Sequence, residues 1–203
     1  VLTPIYERKF HTNSYGFRPG KSAQQAVLKA AEYMNEGYNW VVDIDLEKFF
    51  DTVEHDKMIS ILNKEIKDGK TLSLIRKFLA SGVMVGEQME ETEIGTPQGG
   101  NISPLLANIL LNELDWELES RGLRFVRYAD DCIILVRSEK AATRVMKSVT
   151  KYIENVLRLK VNKDKSRIGR PTEIQYLGFA FYYQFQEKKY RMKVPKKSLD
   201  KVK

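Results

Sequence analysis

The chain has one cysteine, Cys132, and two histidines, His11 and His55, in 203 residues. A lone cysteine excludes a disulfide framework and points to a reducing compartment, so a cytoplasmic location is the expectation. Neither histidine has the Cys or acidic spacing of a zinc ligand. No apolar run approaches the ~20 residues that span a bilayer, and no membrane partner is expected. Walker-type and GxGxxG patterns are missing, as are internal repeats, long Gly/Ser linkers and any Ser/His/Asp set. Val1-Leu2-Thr3-Pro4 does not read as a signal peptide. Without an initiator Met, and ending at Lys203 in a charged run, the chain is expected to be a piece of something longer.

What is present suits a globular domain. A hydrophobic content of 42% is enough for one compact unit of one or two lobes. The net charge of +7 and pI near 9.3 favour a polyanionic partner. The informative stretch is Tyr128-Ala129-Asp130-Asp131, between the runs Leu123 to Val126 and Cys132 to Val136. Two strand-like runs with almost nothing between them read as a tight antiparallel hairpin. Adjacent carboxylates at its tip repel by roughly 4 kcal/mol at ~4 Å and an effective dielectric of ~20. A cation relieves that repulsion, and hard carboxylate oxygens suit Mg²⁺. Taken alone, the stretch reads more readily as a solvated turn, since Asp favours turns; the rest of the chain shifts the balance.

The rest of the chain mixes helical and strand patterns. Ser22 and Gln25 form a capping box before a helix through Met34, stopped by Gly37. Trp40 to Leu46 reads as a buried strand with acids at alternate positions. Helices are predicted over 56–67, ending at Gly69, and over about 72–80; a strand is predicted over 90–96. Ser103 should cap a helix with Pro104 at its first position, burying Leu105, Ile109, Asn112 or Glu113, and Trp116, and ending at Gly122. Ser138 should cap an amphipathic helix with Ala142, Val145, Val149, Ile153 and Val156 on one face. A strand over 176–183 precedes a basic run over 188–203. Elements that mix without strict alternation argue for an α+β fold with an antiparallel sheet packed on helices.

Asp45 closes its strand and could meet Asp130 and Asp131 on a neighbouring hairpin. Three carboxylates from two strands can hold two Mg²⁺ ions, which would acidify an attacking 3′-hydroxyl and hold a triphosphate and its leaving pyrophosphate. Asp43 is the rival, since alternate strand residues share a face.

Five segments lie in one order: Tyr15-Gly16-Phe17-Arg18-Pro19-Gly20; Asp43-Ile44-Asp45-Leu46-Glu47-Lys48-Phe49-Phe50-Asp51; Gly95-Thr96-Pro97-Gln98-Gly99-Gly100-Asn101-Ile102-Ser103-Pro104; Tyr128-Ala129-Asp130-Asp131; and Tyr176-Leu177-Gly178-Phe179. Their order and spacing resemble reverse transcriptases, closely the bacterial group II intron-encoded enzymes, or maturases. The resemblance implies the fingers and palm of a right-hand polymerase: partial fingers over 1–40, palm with inserted segments over 41–185, and a basic tail over 186–203 leading toward a thumb. It implies an RNA-directed DNA polymerase that adds deoxynucleotides to a primer 3′-hydroxyl, with two Mg²⁺ ions (Mn²⁺ as substitute), an RNA template, a DNA primer and intron RNA as partners, and a further role in splicing and mobility.

Residue by residue, the resemblance selects Asp45, Asp130 and Asp131 as metal ligands, with the Leu46 carbonyl assisting, and leaves Asp43 structural. Phe50 becomes the wall that rejects a 2′-hydroxyl. Gln98 contacts the incoming nucleotide, and Gly99 lets backbone approach the nascent pair. Lys165 becomes the general acid, with Lys163 its rival. Tyr176, Leu177 and Gly178 grip the primer terminus, and Arg18 and Lys21 meet phosphates. The basic residues from Lys188 onward begin where the family has its thumb and would contact backbone without sequence choice. By that resemblance the chain is expected to start after the first finger segment and to hold no endonuclease region. The rival readings are a splicing cofactor that binds intron RNA, a retron-type enzyme, and an RNA-dependent RNA polymerase.

Overall fold

The computed structural model describes residues 2–80, 95 and 102–195 in full, and the backbone of 84–85 and 88–89. In chain order the elements are α1 (Thr3–Glu7), α2 (Ala23–Asn35), β1 (Trp40–Ile44), α3 (Phe49–Thr52), α4 (His55–Leu62), α5 (Gly69–Ala80), β2 (Met84–Val85) and β3 (Gln88–Met89). There follow α6 (Ser103–Ser120), β4 (Arg124–Tyr128), β5 (Asp131–Val136), α7 (Glu139–Asn155), β6 (Arg167–Gly169), a 3₁₀ turn (Pro171–Glu173), β7 (Gln175–Tyr176), β8 (Phe179–Gln184) and β9 (Lys189–Lys193).

An antiparallel sheet ordered β4-β5-β1-β6 forms the centre. Alternation along β1 divides its side chains between two cores. Val42 and Ile44 join the larger one, with residues of α4, α6 and α7. Val41 joins the smaller one, where Ala26, Val27, Ala30 and Met34 of α2 meet Phe181 of β8. Each fully buried aliphatic side chain contributes about 1.5–3 kcal/mol, so the sheet is held from both faces. Cys132 lies within β5, and burial pushes its thiol up, as suits an inert core residue.

Local signals were followed where they were strong. Gln25 N donates to Ser22 Oγ at 3.3 Å while Ser22 N donates to Gln25 Oε1 at 2.9 Å, completing the capping box. Ser138 Oγ caps α7 through Ala141 N, and Ala142, Val145, Val149 and Ile153 are buried. Val156 lies at the helix end and is exposed.

Other boundaries moved. The helix predicted over 56–67 ends at Leu62, and Gly69 opens α5, because the Asp68 carboxylate accepts from Lys70 N and Thr71 N and caps the new helix. Ser103 is already helical, with Ile102 at the cap position. The buried side of α6 runs through Leu106, Ile109, Leu110 and Leu114, with Asn108 and Asp115 sealed in as well. Trp116 is 52% exposed, its indole N–H donating to Lys9 O. A buried charge on β4 draws those two polar groups inward and rotates the expected face. The strand predicted over 176–183 is two strands, β7 and β8, joined by Leu177 and Gly178. Both joining residues have positive φ, 50° and 79°, as a type I′ turn requires. The strand predicted over 90–96 falls largely outside the described residues. Among the described residues, no helix is long and apolar enough to cross a membrane.

Candidate active site

β4 and β5 form the hairpin read from sequence, with Tyr128 paired to Asp131 and only Ala129 and Asp130 between them. Ala129 has φ +55°, a left-handed conformation that costs a non-glycine residue about 1 kcal/mol or more. Gly16 explains part of its support: a Cβ there would lie 2.2 Å from Ala129 N, so only glycine permits the approach. Beneath the turn lies a fully buried ion pair between Arg127 and Asp115, at 2.6 Å.

The β1–β5 register brings the third acid to this hairpin. The paired register ends at Ile44 and Cys132, and each is followed or preceded by an acid, Asp45 after Ile44 and Asp131 before Cys132. The electrostatics agree. The Asp131 carboxyl is pushed up to about 6, first by loss of water around it and then by Asp130, Asp43 and Asp45. Asp43 is also raised, by burial first and by Asp45, against the lowering effect of Arg167. Arg167 Nε donates to Asp43 at 3.3 Å across β1–β6, which gives Asp43 a cationic partner inside the sheet.

A clip fixes Asp45 itself. Its N–H donates to Ser166 Oγ at 3.1 Å, and its carbonyl accepts from Asn162 N at 2.9 Å. Leu46 is buried and bridges to Val161. Asn162 Oδ1 accepts from Asp164 N and Lys165 N, so one short turn holds both Asp45 and the backbone of Lys165. Lys163 and Lys165 are both exposed and line a cleft of about 790 Å³ with Leu46, Lys48 and Lys160 and the acids Glu47, Glu154 and Asp164.

On the other side of Asp45, Phe49 is buried and Phe50 half-buried, their rings edge-to-face at 5.2 Å. Phe49 is therefore the core member of the pair. Gly95 N donates to Val53 O at 2.8 Å, and Gly95 O accepts from His55 Nε2 at 2.6 Å. A carbonyl can only accept, so the proton sits on Nε2. This buried histidine, silent in the sequence, ties Gly95 to the start of α4. Gln98 and Gly99 lie outside the described residues.

Several expected nucleic-acid contacts are turned into the protein. The Arg18 side chain is 6% exposed. It binds Glu7 and the carbonyls of His11 and Ser14, and lies over Phe10, because the N-terminal segment wraps around it. Lys21 lies over Tyr15 and donates to Thr12 O at 3.2 Å while remaining half-exposed. Tyr176 is buried, and its hydroxyl lies 3.2 Å from Val126 O on β4 and 3.5 Å from Asp131 O on β5, so it braces both strands of the hairpin. Of that segment Gly178 is exposed and Leu177 half-buried.

Among the described residues, no three His, Cys, Asp or Glu side chains gather into a ready-made metal cage. The donor set nevertheless suits a hard dication: oxygen ligands, with one carboxylate whose charge its neighbours oppose.

The reverse transcriptase (RNA-dependent DNA polymerase) family matches residues 1–181. Protein YkfC of Escherichia coli K12 is 31% identical over 219 residues, covering 89% of this chain and 56% of YkfC. The group II intron-encoded protein LtrA of Lactococcus lactis subsp. cremoris is 41% identical over 133 residues, 66% of this chain and 22% of LtrA. The putative COX1/OXI3 intron 2 protein of Saccharomyces cerevisiae is 30% identical over 252 residues, 95% of this chain and 29% of that protein. The chain thus spans little more than half of one relative and under a third of the other two. Apo telomerase of Candida tropicalis, truncated from its C-terminal domain, matches 94% of this chain and 43% of its own, with a TM-score of 0.66 at 11% identity. That likeness bears on the fold alone, an α+β polymerase fold. Since the family match covers far more than half of its length, the chain belongs to the reverse transcriptases, which generally use divalent metal ions, and counts group II intron-encoded proteins among its relatives.

Proposed function

We propose that the protein is an RNA-directed DNA polymerase that extends a primer 3′-hydroxyl with deoxynucleotides, copying RNA within a group II intron. The observation that carries this reading is that Asp131, at the start of β5, is pushed up to about 6 by burial and by Asp130, Asp43 and Asp45, the last just beyond the end of the neighbouring β1. Asp45, Asp130, Asp131 and the Leu46 carbonyl are the residues that would hold Mg²⁺. When bound there, the ions supply positive charge for the attacking hydroxyl and for the phosphates. Phe50 stands against the sugar and leaves no room for a 2′-hydroxyl. By their place in the sequence pattern, Gln98 and Gly99 would contact the incoming nucleotide. Lys165, on the turn that also clips Asp45, donates a proton to the leaving pyrophosphate.

A second reading, support of intron splicing by RNA binding, is favoured by the intron-encoded relatives and by Lys189 and Lys193, exposed on β9. It coexists with the first. Primer extension on an RNA template with Mg²⁺ tests both. Asp130→Asn with Asp131→Asn should abolish extension and spare RNA binding, and persistent extension would refute the metal-ligand assignment. In the same assay Phe50→Ala should admit ribonucleotides; unchanged discrimination would remove Phe50 from the sugar site.

A further inference from the structure

Among the described residues Arg127 is the largest fully buried side chain, and its guanidinium has five N–H donors. Every one is used. Nε donates to Asp115 Oδ1 at 2.7 Å and Nη2 to Asp115 Oδ2 at 2.6 Å, a bidentate pair with helix α6. Nη2 also donates to Ser14 Oγ at 2.8 Å, in the N-terminal segment that runs beside β4. Nη1 donates to Asn108 Oδ1 at 3.0 Å and to the carbonyl of Ala129, the first residue of the acidic turn, at 2.7 Å. Asn108 in turn donates from Nδ2 to Gly16 O at 2.8 Å, where Gly16 abuts Ala129. Asn13 O and Tyr15 N pair with the backbone of Arg127 itself.

We infer that Arg127 is the positioning residue for the acidic turn: its guanidinium clamps the Ala129 carbonyl against α6 and the N-terminal segment, and so sets where Asp130 and Asp131 stand. The inference rests on reading those aspartates as the polymerase's metal ligands. Three features make it a device for position. First, a stable core does not need this pair, because well-packed apolar residues of similar volume often replace a buried ion pair without loss. Secondly, Ala129 is left-handed, a conformation that persists only when its surroundings over-determine it. Thirdly, the planar fork is specific to arginine; the three donors of lysine could not reach five acceptors in this geometry. The hub also joins parts distant in sequence. Ser14 of the N-terminal segment and Asp115 of α6, far apart in the chain, both meet this one guanidinium.

The test compares the full-length protein with the double variant Arg127→Met, Asp115→Leu, which removes both charges together and leaves neither unpaired. Two quantities are read: Mn²⁺ affinity by electron paramagnetic resonance without substrate, and kcat and KM for single-nucleotide addition. If Arg127 positions the turn, the double variant keeps a melting temperature close to that of the parent. It binds Mn²⁺ about tenfold more weakly, and kcat falls roughly tenfold to a hundredfold with little change in the KM for nucleotide. A folded double variant with parental Mn²⁺ affinity and kcat would overturn the inference. Should the double variant not fold, Ser14→Ala decides, since it removes one acceptor and leaves the ion pair. A loss of about threefold to fivefold in both readouts supports the clamp, and none refutes it. A parent that binds Mn²⁺ yet extends no primer would sink the polymerase reading and leave the Mn²⁺ comparison to judge this one.

Discussion

The two halves of the carboxylate cluster are held in opposite ways. Asp130 and Asp131 sit on a turn clamped from below by a charged, fully buried hub, with glycine backbone pressed against it. Asp45 sits at a strand end, held by a serine hydroxyl and a backbone amide on a turn whose lysines are exposed. The first support is expensive to disturb, because breaking it strands a buried charge. The second is a pair of neutral hydrogen bonds at a partly wetted edge, each contributing about 1 kcal/mol. The hairpin acids are therefore a fixed reference, and Asp45 shares its anchor with Lys165.

The sharpest way to break this contrast is Asp115→Ala. It leaves Arg127 buried and unpaired and should destabilise the fold by about 3–5 kcal/mol in urea titration; a loss below about 1 kcal/mol would mean water reaches the hub. Gly16→Ala comes next. The new methyl must displace Ala129's backbone, so about 1–3 kcal/mol of stability should go, with primer extension falling further than stability explains. Ser166→Ala tests the other half: about 1 kcal/mol lost, with Lys165→Ala adding little to its kinetic defect if the two share one turn. Additive rate losses would separate them.

The smallest effect has the opposite sign. Asp131 is raised from 3.8 to about 6, so its charged form is disfavoured in the folded protein. The resulting penalty is absent below pH 4, grows through the interval up to about 6, and is complete above it. Asp131→Asn should thus raise the melting temperature of chelator-treated protein at pH 7.5 and change nothing near pH 3.5. The side chain keeps water contact, so the gain is held to about 1 kcal/mol or less. A fall at pH 7.5 would show that the neighbouring acids do not press on Asp131.

Legibility in the sequence followed the range of the signal. The Ser22–Gln25 box, the Ser138 cap with its apolar stripe, and the Tyr128–Asp131 hairpin are complete within a few residues, and each appears where expected. Gly69 and Ser103 misled because a stronger local cap, Asp68, or an early helix start overrode them. Arg124 and Arg127 look alike in sequence, two basic residues in one strand. Alternation puts Arg127 on Phe125's side, beneath α6, and leaves Arg124 outside. Arg18 and Tyr176 were read as nucleic-acid contacts because motif position says nothing of which way a side chain turns. His55 had no motif at all, and its partner Gly95 lies 40 residues away.

By itself the sequence determined the element types, the α+β class, the family and the adjacency of Asp130 and Asp131, because periodicity, caps and short motifs are written in neighbouring residues. Tertiary structure alone decided that Asp45 comes near Asp131 and that Arg127, Tyr176 and Gly16 brace the hairpin. Those facts depend on strand register and on burial, which arise only when distant segments exclude water from one another.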